Sequence, residues 1–210
     1  MLRSKNCCKE FTYNLRHCFT NWWVHLNLRK IFMFAVITKF DLNILLWVQD
    51  NLHCEFLTII FTYITSVGSV LLALIAVYLI FRGGRDEKFV GVVSIVSASI
   101  EVIFVNGLLK NLIARPRPFV ISSEVTPLVN ILSEHSFPSG HTALAFAMAF
   151  VFYRLSSKKY CVVAILIAML VGFSRLYLGV HYPSDVISGI LVAYVAARIA
   201  EFIIRKVLKR

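Results

Sequence analysis

Carboxylates are scarce in this chain. Eleven Asp and Glu stand against 22 Lys and Arg in 210 residues, a formal net charge of +11, and the acids form no cluster of the kind that cages a hard divalent cation. Cysteine is present without a pattern. Cys7, Cys8, Cys18, Cys54 and Cys161 are odd in number and lack metal-like spacing, which argues against both a disulfide framework and a thiolate metal site. No internal repeat, low-complexity tract or second globular domain is visible. Near the start no clean apolar core is followed by a small-residue site, so no cleavable leader is expected.

What the chain has in quantity is apolar side chains. At 59% hydrophobic residues and a mean hydropathy of +0.76, it exceeds the apolar share of an ordinary soluble domain, about one half. Segments running Phe56 to Phe81, Phe89 to Leu109, Ser139 to Leu155, Tyr160 to Tyr177 and Val186 to Ile204 approach or reach the roughly 20 residues a helix needs to cross hydrocarbon. Backbone groups in lipid must be paired internally, so helices are the expected form. The fold class expected is all-α, an integral membrane bundle of five or six transmembrane helices.

The positive charge fits either nucleic-acid binding or topology signals beside a membrane. Its placement selects the second, and no nucleic-acid partner is expected. Arg82, Arg85 and Lys88 share one connection, Arg154, Lys158 and Lys159 another, and Arg198, Arg205, Lys206, Lys209 and Arg210 close the chain. These connections alternate along the sequence, hence lie on one side, which the bias of Lys and Arg assigns to the cytoplasm. The connections 111–138 and 178–185 then face outward together. The first 50 residues carry further basic groups, so parity asks for another crossing, roughly Trp22 to Val48. Arg29, Lys30, Lys39 and Asp41 interrupt it, each costing about 2.5 to 3.5 kcal/mol at mid-bilayer. An interfacial amphipathic helix is the alternative, and both remain open.

Ionisable groups beside membrane helices are functional suspects, and they gather at the outward ends. KNLIARPRP carries Lys110, Arg115 and Arg117, SFPSGH carries Ser139, Gly140 and His141, and SRLYLGVHYPSD carries Ser174, Arg175, His181 and Asp185. Singly, each has an ordinary explanation: snorkelling arginines, helix-stopping prolines, an imidazole bonded to a carbonyl. Together they describe an anion site, several fixed cations beside a helix N-terminus whose free N–H groups favour negative charge. Asp185 follows His181 by four residues, so its carboxylate can turn back to the ring and orient it, leaving His181 as nucleophile and His141 as general acid. Metal binding is the rival use of these histidines. It is discounted because Lys110, Arg117 and Arg175 repel a divalent cation and attract phosphate; no metal and no cofactor is expected.

These three stretches resemble the type-2 phosphatidic acid phosphatases, membrane relatives of the vanadium-dependent haloperoxidases. Lys, six residues and Arg-Pro match Lys110, Arg117 and Pro118, which selects Arg117 over Arg115. Pro-Ser-Gly-His matches Pro138 to His141, and Ser-Arg, five residues, His, three residues, Asp matches Ser174, Arg175, His181 and Asp185. The resemblance runs over about residues 40 to 205, leaving 1–39 as a basic extension, cytoplasmic or interfacial, ahead of a membrane phosphatase domain at 40–210. It implies a haloperoxidase-like helical core with its site near the outer leaflet of the cell membrane. It also implies that Lys110, Arg117, Arg175, Ser139 and Gly140 hold the phosphoryl oxygens, that His181 forms a phosphohistidine, that His141 protonates the leaving group and that Asp185 orients His181. The implied partners are membrane lipids and a lipid phosphate. Undecaprenyl diphosphate is the first choice, ahead of phosphatidylglycerol phosphate, phosphatidic acid and lipid A phosphate. A non-hydrolytic permease or resistance protein is the reading from another class. Glu101 stands outside the motifs, nine residues before Lys110 and so on the opposite helix face. It is expected to hydrogen-bond between helices or else to serve passage of lipid into the site.

Overall fold

The computed structural model describes residues 36–130 and 135–209. The chain divides into units 1–40 and 41–210; of the first, residues 36–40 are described and are helical. The stretch from Trp22 to Val48 therefore lies mostly outside the described residues, as does most of the extension at 1–39. Helix α1 covers residues 41–52. It is followed by α2 (Glu55–Arg82), α3 (Arg85–Phe104), a π-helical turn (Val105–Leu109), α4 (Lys110–Ile113), α5 (Pro118–Ile121), α6 (Gly140–Leu155), α7 (Lys158–Tyr177) and α8 (Pro183–Val207). Among the described residues, the only extended pairing is an isolated bridge between Pro116 and His135.

Among the described residues, four spans are long and apolar enough to cross a membrane: Glu55–Arg82, Arg85–Ile113, Lys158–Tyr177 and Pro183–Val207. Helix α6 is apolar but has only 16 residues, about 24 Å at 1.5 Å per residue. Thr142, Ala143, Ala145, Phe146, Ala147, Met148, Ala149, Val151 and Phe152 are all buried, so α6 is wrapped by α3, α7 and α8 and meets protein where the other helices meet lipid.

Small residues set how closely the helices approach, as expected where lipid supplies no hydrophobic drive between them. Ala193, Ala196, Ala197 and Ala200 line the buried face of α8. A Cβ on Gly189 would lie 2.9 Å from the Ser139 carbonyl oxygen, so α8 seats its backbone directly against the start of α6. On the far side of the bundle, a Cβ on Gly91 would lie 2.5 Å from the Ala76 carbonyl oxygen. Gly91→Ala is expected to lower the thermal midpoint in detergent, because overpacking costs about 1 to 3 kcal/mol, while the activity of each folded molecule stays at the parent value. An unchanged midpoint would show that α2 and α3 can separate freely.

The two ends of the bundle differ. At one, Arg154 and Arg205 each donate to Glu201 at 3.0 Å, and the Arg205 guanidinium lies 5.2 Å from the Phe89 ring centre. These contacts gather the end of α6, the end of α8 and the start of α3, so the basic connections share a side. The opposite end holds the end of the span Arg85–Ile113, the start of α6, the end of α7 and the start of α8, and with them all three motif-bearing stretches.

Candidate active site

Local geometry brings the motif residues to one cavity. The span Arg85–Ile113 ends at Ala114, where a left-handed residue (φ 46°) breaks the helix. Arg117 then precedes Pro118, which occupies the first turn of α5, while Ser136 N donates to the Arg115 carbonyl at 2.8 Å. That bond ties the arginine loop to the segment leading into α6. After α7, Gly179 adopts φ 70°, conformational space that other residues enter only with strain, and the chain turns to place His181 just before Pro183 opens α8.

Lys110, Arg117, Gly140, His141, Arg175 and His181 line a cavity of about 340 Å³, together with Thr62, Thr65 and Ser66 of α2, Val129 and Asn130. Arg117, Arg175 and His181 are buried within its wall, whereas His141 is exposed. Arg175 Nη1 donates to Thr65 Oγ1 at 2.9 Å, and its buried Nε has no hydrogen-bond partner, a donor left for a ligand. Arg117 Nη1 donates to the Val180 carbonyl at 2.7 Å and lies 3.4 Å from His181 Nε2.

A guanidinium only donates. With its ring proton on Nδ1, the side of Asp185, His181 presents the Nε2 lone pair toward Arg117 across 3.4 Å, on the cavity side. Nδ1 faces Asp185 Oδ2 at 3.5 Å, longer than a formed hydrogen bond, and has no closer partner. Burial pushes the His181 imidazole down to about 4, and Asp185 opposes the fall; the ring is neutral over the ordinary pH range. Burial also pulls Arg117 below its usual value, with Asp185 partly offsetting the effect. Among the described residues, no three His, Cys, Asp or Glu side chains group as metal ligands.

The sequence profile of the PAP2 superfamily matches residues 91–207, a range that contains every motif residue of the cavity. The chain belongs to the PAP2 superfamily. The undecaprenyl-diphosphatase BcrC of Bacillus subtilis is 33% identical over 146 residues, 68% of this chain and 72% of that protein. The crystal structure of Aquifex aeolicus LpxE superposes with a TM-score of 0.64 at 31% identity, covering 76% of this chain and 93% of the other. The transmembrane PAP2-type phosphatidylglycerolphosphate phosphatase of Bacillus subtilis gives 0.63 at 25% identity, covering 84% and 94%. This PAP2 chain is a multi-pass membrane protein and a phosphoric ester hydrolase.

Some expected positions differ in this PAP2 bundle. Ser139 does not line the cavity: its hydroxyl is paired with Thr142 Oγ1 at 2.9 Å, and its amide donates to the Asp185 carbonyl at 3.1 Å. Glu101 makes no interhelical hydrogen bond. It is 1% exposed and neither carboxylate oxygen has a partner, while Lys110 acts on it electrostatically. Counting nine residues along a regular helix puts Lys110 on the opposite face. The π turn at Val105–Leu109 carries one extra residue per turn of the ladder and so rotates Lys110 by about 100°.

Sequence reasoning also missed Arg115 and Asp41. Arg115 is neither a snorkelling anchor nor spare, and Asp41 is not a charge exposed to lipid; the two are buried against each other at 2.8 Å. The available signal was the charge itself: an aspartate inside FDLNILLW needs a cation.

Proposed function

We propose that this protein hydrolyses undecaprenyl diphosphate at the outer face of the cell membrane through a phosphohistidine at His181. The observation that carries the mechanism is the Arg117 contact to His181 Nε2, which leaves a neutral imidazole lone pair in a cavity lined by Lys110, Arg117 and Arg175. Nε2 forms a bond to phosphorus as the bond to the leaving oxygen breaks. The three cations neutralise the phosphoryl oxygens through the transfer, and His141, protonated once the bound phosphate anion offsets the cations around it, gives its proton to the leaving oxygen. The phosphorylated ring carries a positive charge facing Asp185. Water then attacks phosphorus, His141 accepts its proton, and His181 is released neutral.

The substrate reading draws on the relative named undecaprenyl-diphosphatase and on the lining beyond the cations. Thr62, Ser66 and Asn130 extend the polar wall, where a second phosphate has donors. The test is phosphate release by purified protein from undecaprenyl diphosphate, phosphatidylglycerol phosphate, phosphatidic acid and lipid A, each with EDTA present. The diphosphate is expected to have the highest kcat/KM, and activity is expected to persist in EDTA and to fall with vanadate. A higher kcat/KM on phosphatidylglycerol phosphate would replace the substrate. Loss in EDTA, restored by Mg²⁺ or Zn²⁺, would overturn the mechanism.

The outward placement of the site rests on the basic ends gathered around Glu201 and on the Lys and Arg bias. In a background lacking the native cysteines, a cysteine at position 126 is expected to react with an impermeant reagent on intact cells, and one at position 158 to be protected. The reverse pattern would turn the protein over in the membrane.

A further inference from the structure

Behind His181, away from the cavity, lies a cluster of charges that the family motifs do not name. Arg115 Nη1 donates to Asp185 Oδ1 at 2.7 Å and Nη2 to Asp41 Oδ2 at 2.8 Å. Ser184 closes the ring: its hydroxyl accepts from Arg115 Nη1 at 2.6 Å and donates to Asp41 Oδ2, and its amide donates to Asp41 Oδ1 at 3.1 Å. The Arg115 guanidinium carbon lies over the Tyr182 ring, 3.8 Å from its centre, and the Tyr182 amide donates to Asp185 Oδ2 at 3.0 Å. The side chains of Asp41, Arg115 and Asp185 are 3%, 7% and 0% exposed, so water screens none of these charges. Asp41 belongs to α1, outside the residues that the family profile matches.

We propose that Asp41 and Arg115 are positioning residues of the hydrolysis: they lock the Asp185 carboxylate behind His181 and leave the cluster one net negative charge to face the ring. The inference rests on the reading of His181 as nucleophile. Stability alone does not account for such a cluster, because buried ion pairs are no better than apolar packing of the same volume once desolvation is counted. Charge does account for it. An Asp185–Arg115 pair by itself is neutral and has nothing to offer a ring that turns cationic when Nε2 bonds to phosphorus. Two carboxylates sharing one guanidinium keep a negative charge in place. Geometry adds to this, since Arg115 occupies Oδ1 and the Tyr182 amide one side of Oδ2. The remaining lone pair of Oδ2 is aimed at His181 Nδ1. On the cavity side, Arg117 is the cation that feels Asp185, and a bound phosphoryl group engages it.

Asp41→Asn removes one charge and keeps the shape. In the full-length protein it is expected to lower kcat about 10- to 100-fold, the usual cost of losing a carboxylate that supports a working histidine from behind, with KM little changed. In an Asp185→Asn background the same substitution is expected to cost nothing further. That background keeps a measurable rate, because losing a triad's acid costs less than losing its nucleophile. Folding is followed by size exclusion and thermal melting. If Asp41→Asn does not fold, Ser184→Ala, which breaks the ring without removing charge, is read in its place: a smaller kcat loss is expected, again absent in the Asp185→Asn background. A folded Asp41→Asn, or Ser184→Ala in its stead, with parental kcat would overturn the proposal, and so would losses that simply multiply with that of Asp185→Asn. Parental activity of Asp185→Asn itself would instead sink the reading of His181 and Asp185.

Discussion

Replacing His181 with alanine is expected to lower kcat about 10⁶-fold, the scale of losing a nucleophile, on every substrate whatever its leaving group. The reason is that His181 is the residue proposed to give its lone pair to the phosphorus. Arg117 and Arg175 have no acceptor atom, and Asp185 lies behind the imidazole at the Nδ1 side. The pH profile of the parent protein carries the same assignment. Because burial holds His181 at about 4, protonation removes the nucleophile only as pH falls through that value, not through the ordinary imidazole range near 6.5. The acid limb of kcat/KM reports the free enzyme, so it is expected near 4 once the titration of the substrate phosphate has been divided out. Asp185→Asn is expected to move that limb to still lower pH, because the acid is what opposes the fall. A His181→Ala protein within tenfold of the parent would overturn the mechanism. A limb at the ordinary imidazole value would place the titrating group elsewhere.

The cavity could be read from sequence because each of its residues lies at a helix end, and helix ends alternate sides in a membrane. Once five apolar segments are marked, parity alone sends Lys110, Arg117, Gly140, His141, Arg175 and His181 to one face, and all six line one cavity. Lipid removes the alternatives that make soluble folds hard to guess. The charge cluster behind His181 was not legible in the same way. Asp41 and Arg115 are 74 positions apart, and nothing in their local spacing says which cation answers which acid; a motif that selects Arg117 also draws attention away from Arg115. The Lys110–Glu101 relation failed for a different reason. Periodicity assumes one helical geometry throughout, and the π turn at Val105–Leu109 changes the phase without a residue that announces it. Ser139 adds a local contact that spacing does not announce. The resemblance implies that it holds a phosphoryl oxygen; in the structure its hydroxyl is paired with that of Thr142, one turn on.

His141→Ala is expected to separate the two histidines by leaving group, because His141 alone is assigned the proton that the departing oxygen receives. It stands at the second position of α6 and lines the same cavity as His181 from a different helix. With phosphatidic acid, whose leaving alkoxide is strongly basic, the variant is expected to lose about 10² to 10⁴ in kcat/KM, the usual yield of general acid catalysis. With p-nitrophenyl phosphate the leaving anion is stable without a proton, and the loss is expected to be much smaller. Undecaprenyl diphosphate is expected to fall between them, since a departing phosphate monoester needs less protonation than an alcohol. His181→Ala shows no such gradient, because every substrate needs the attacking atom. The measurement is kcat/KM for both variants on the three substrates, with the folded fraction matched by size exclusion. Equal losses for His141→Ala across the series would make it a phosphate-binding group instead of a proton donor. A graded loss for His181→Ala with a flat one for His141→Ala would exchange the two roles.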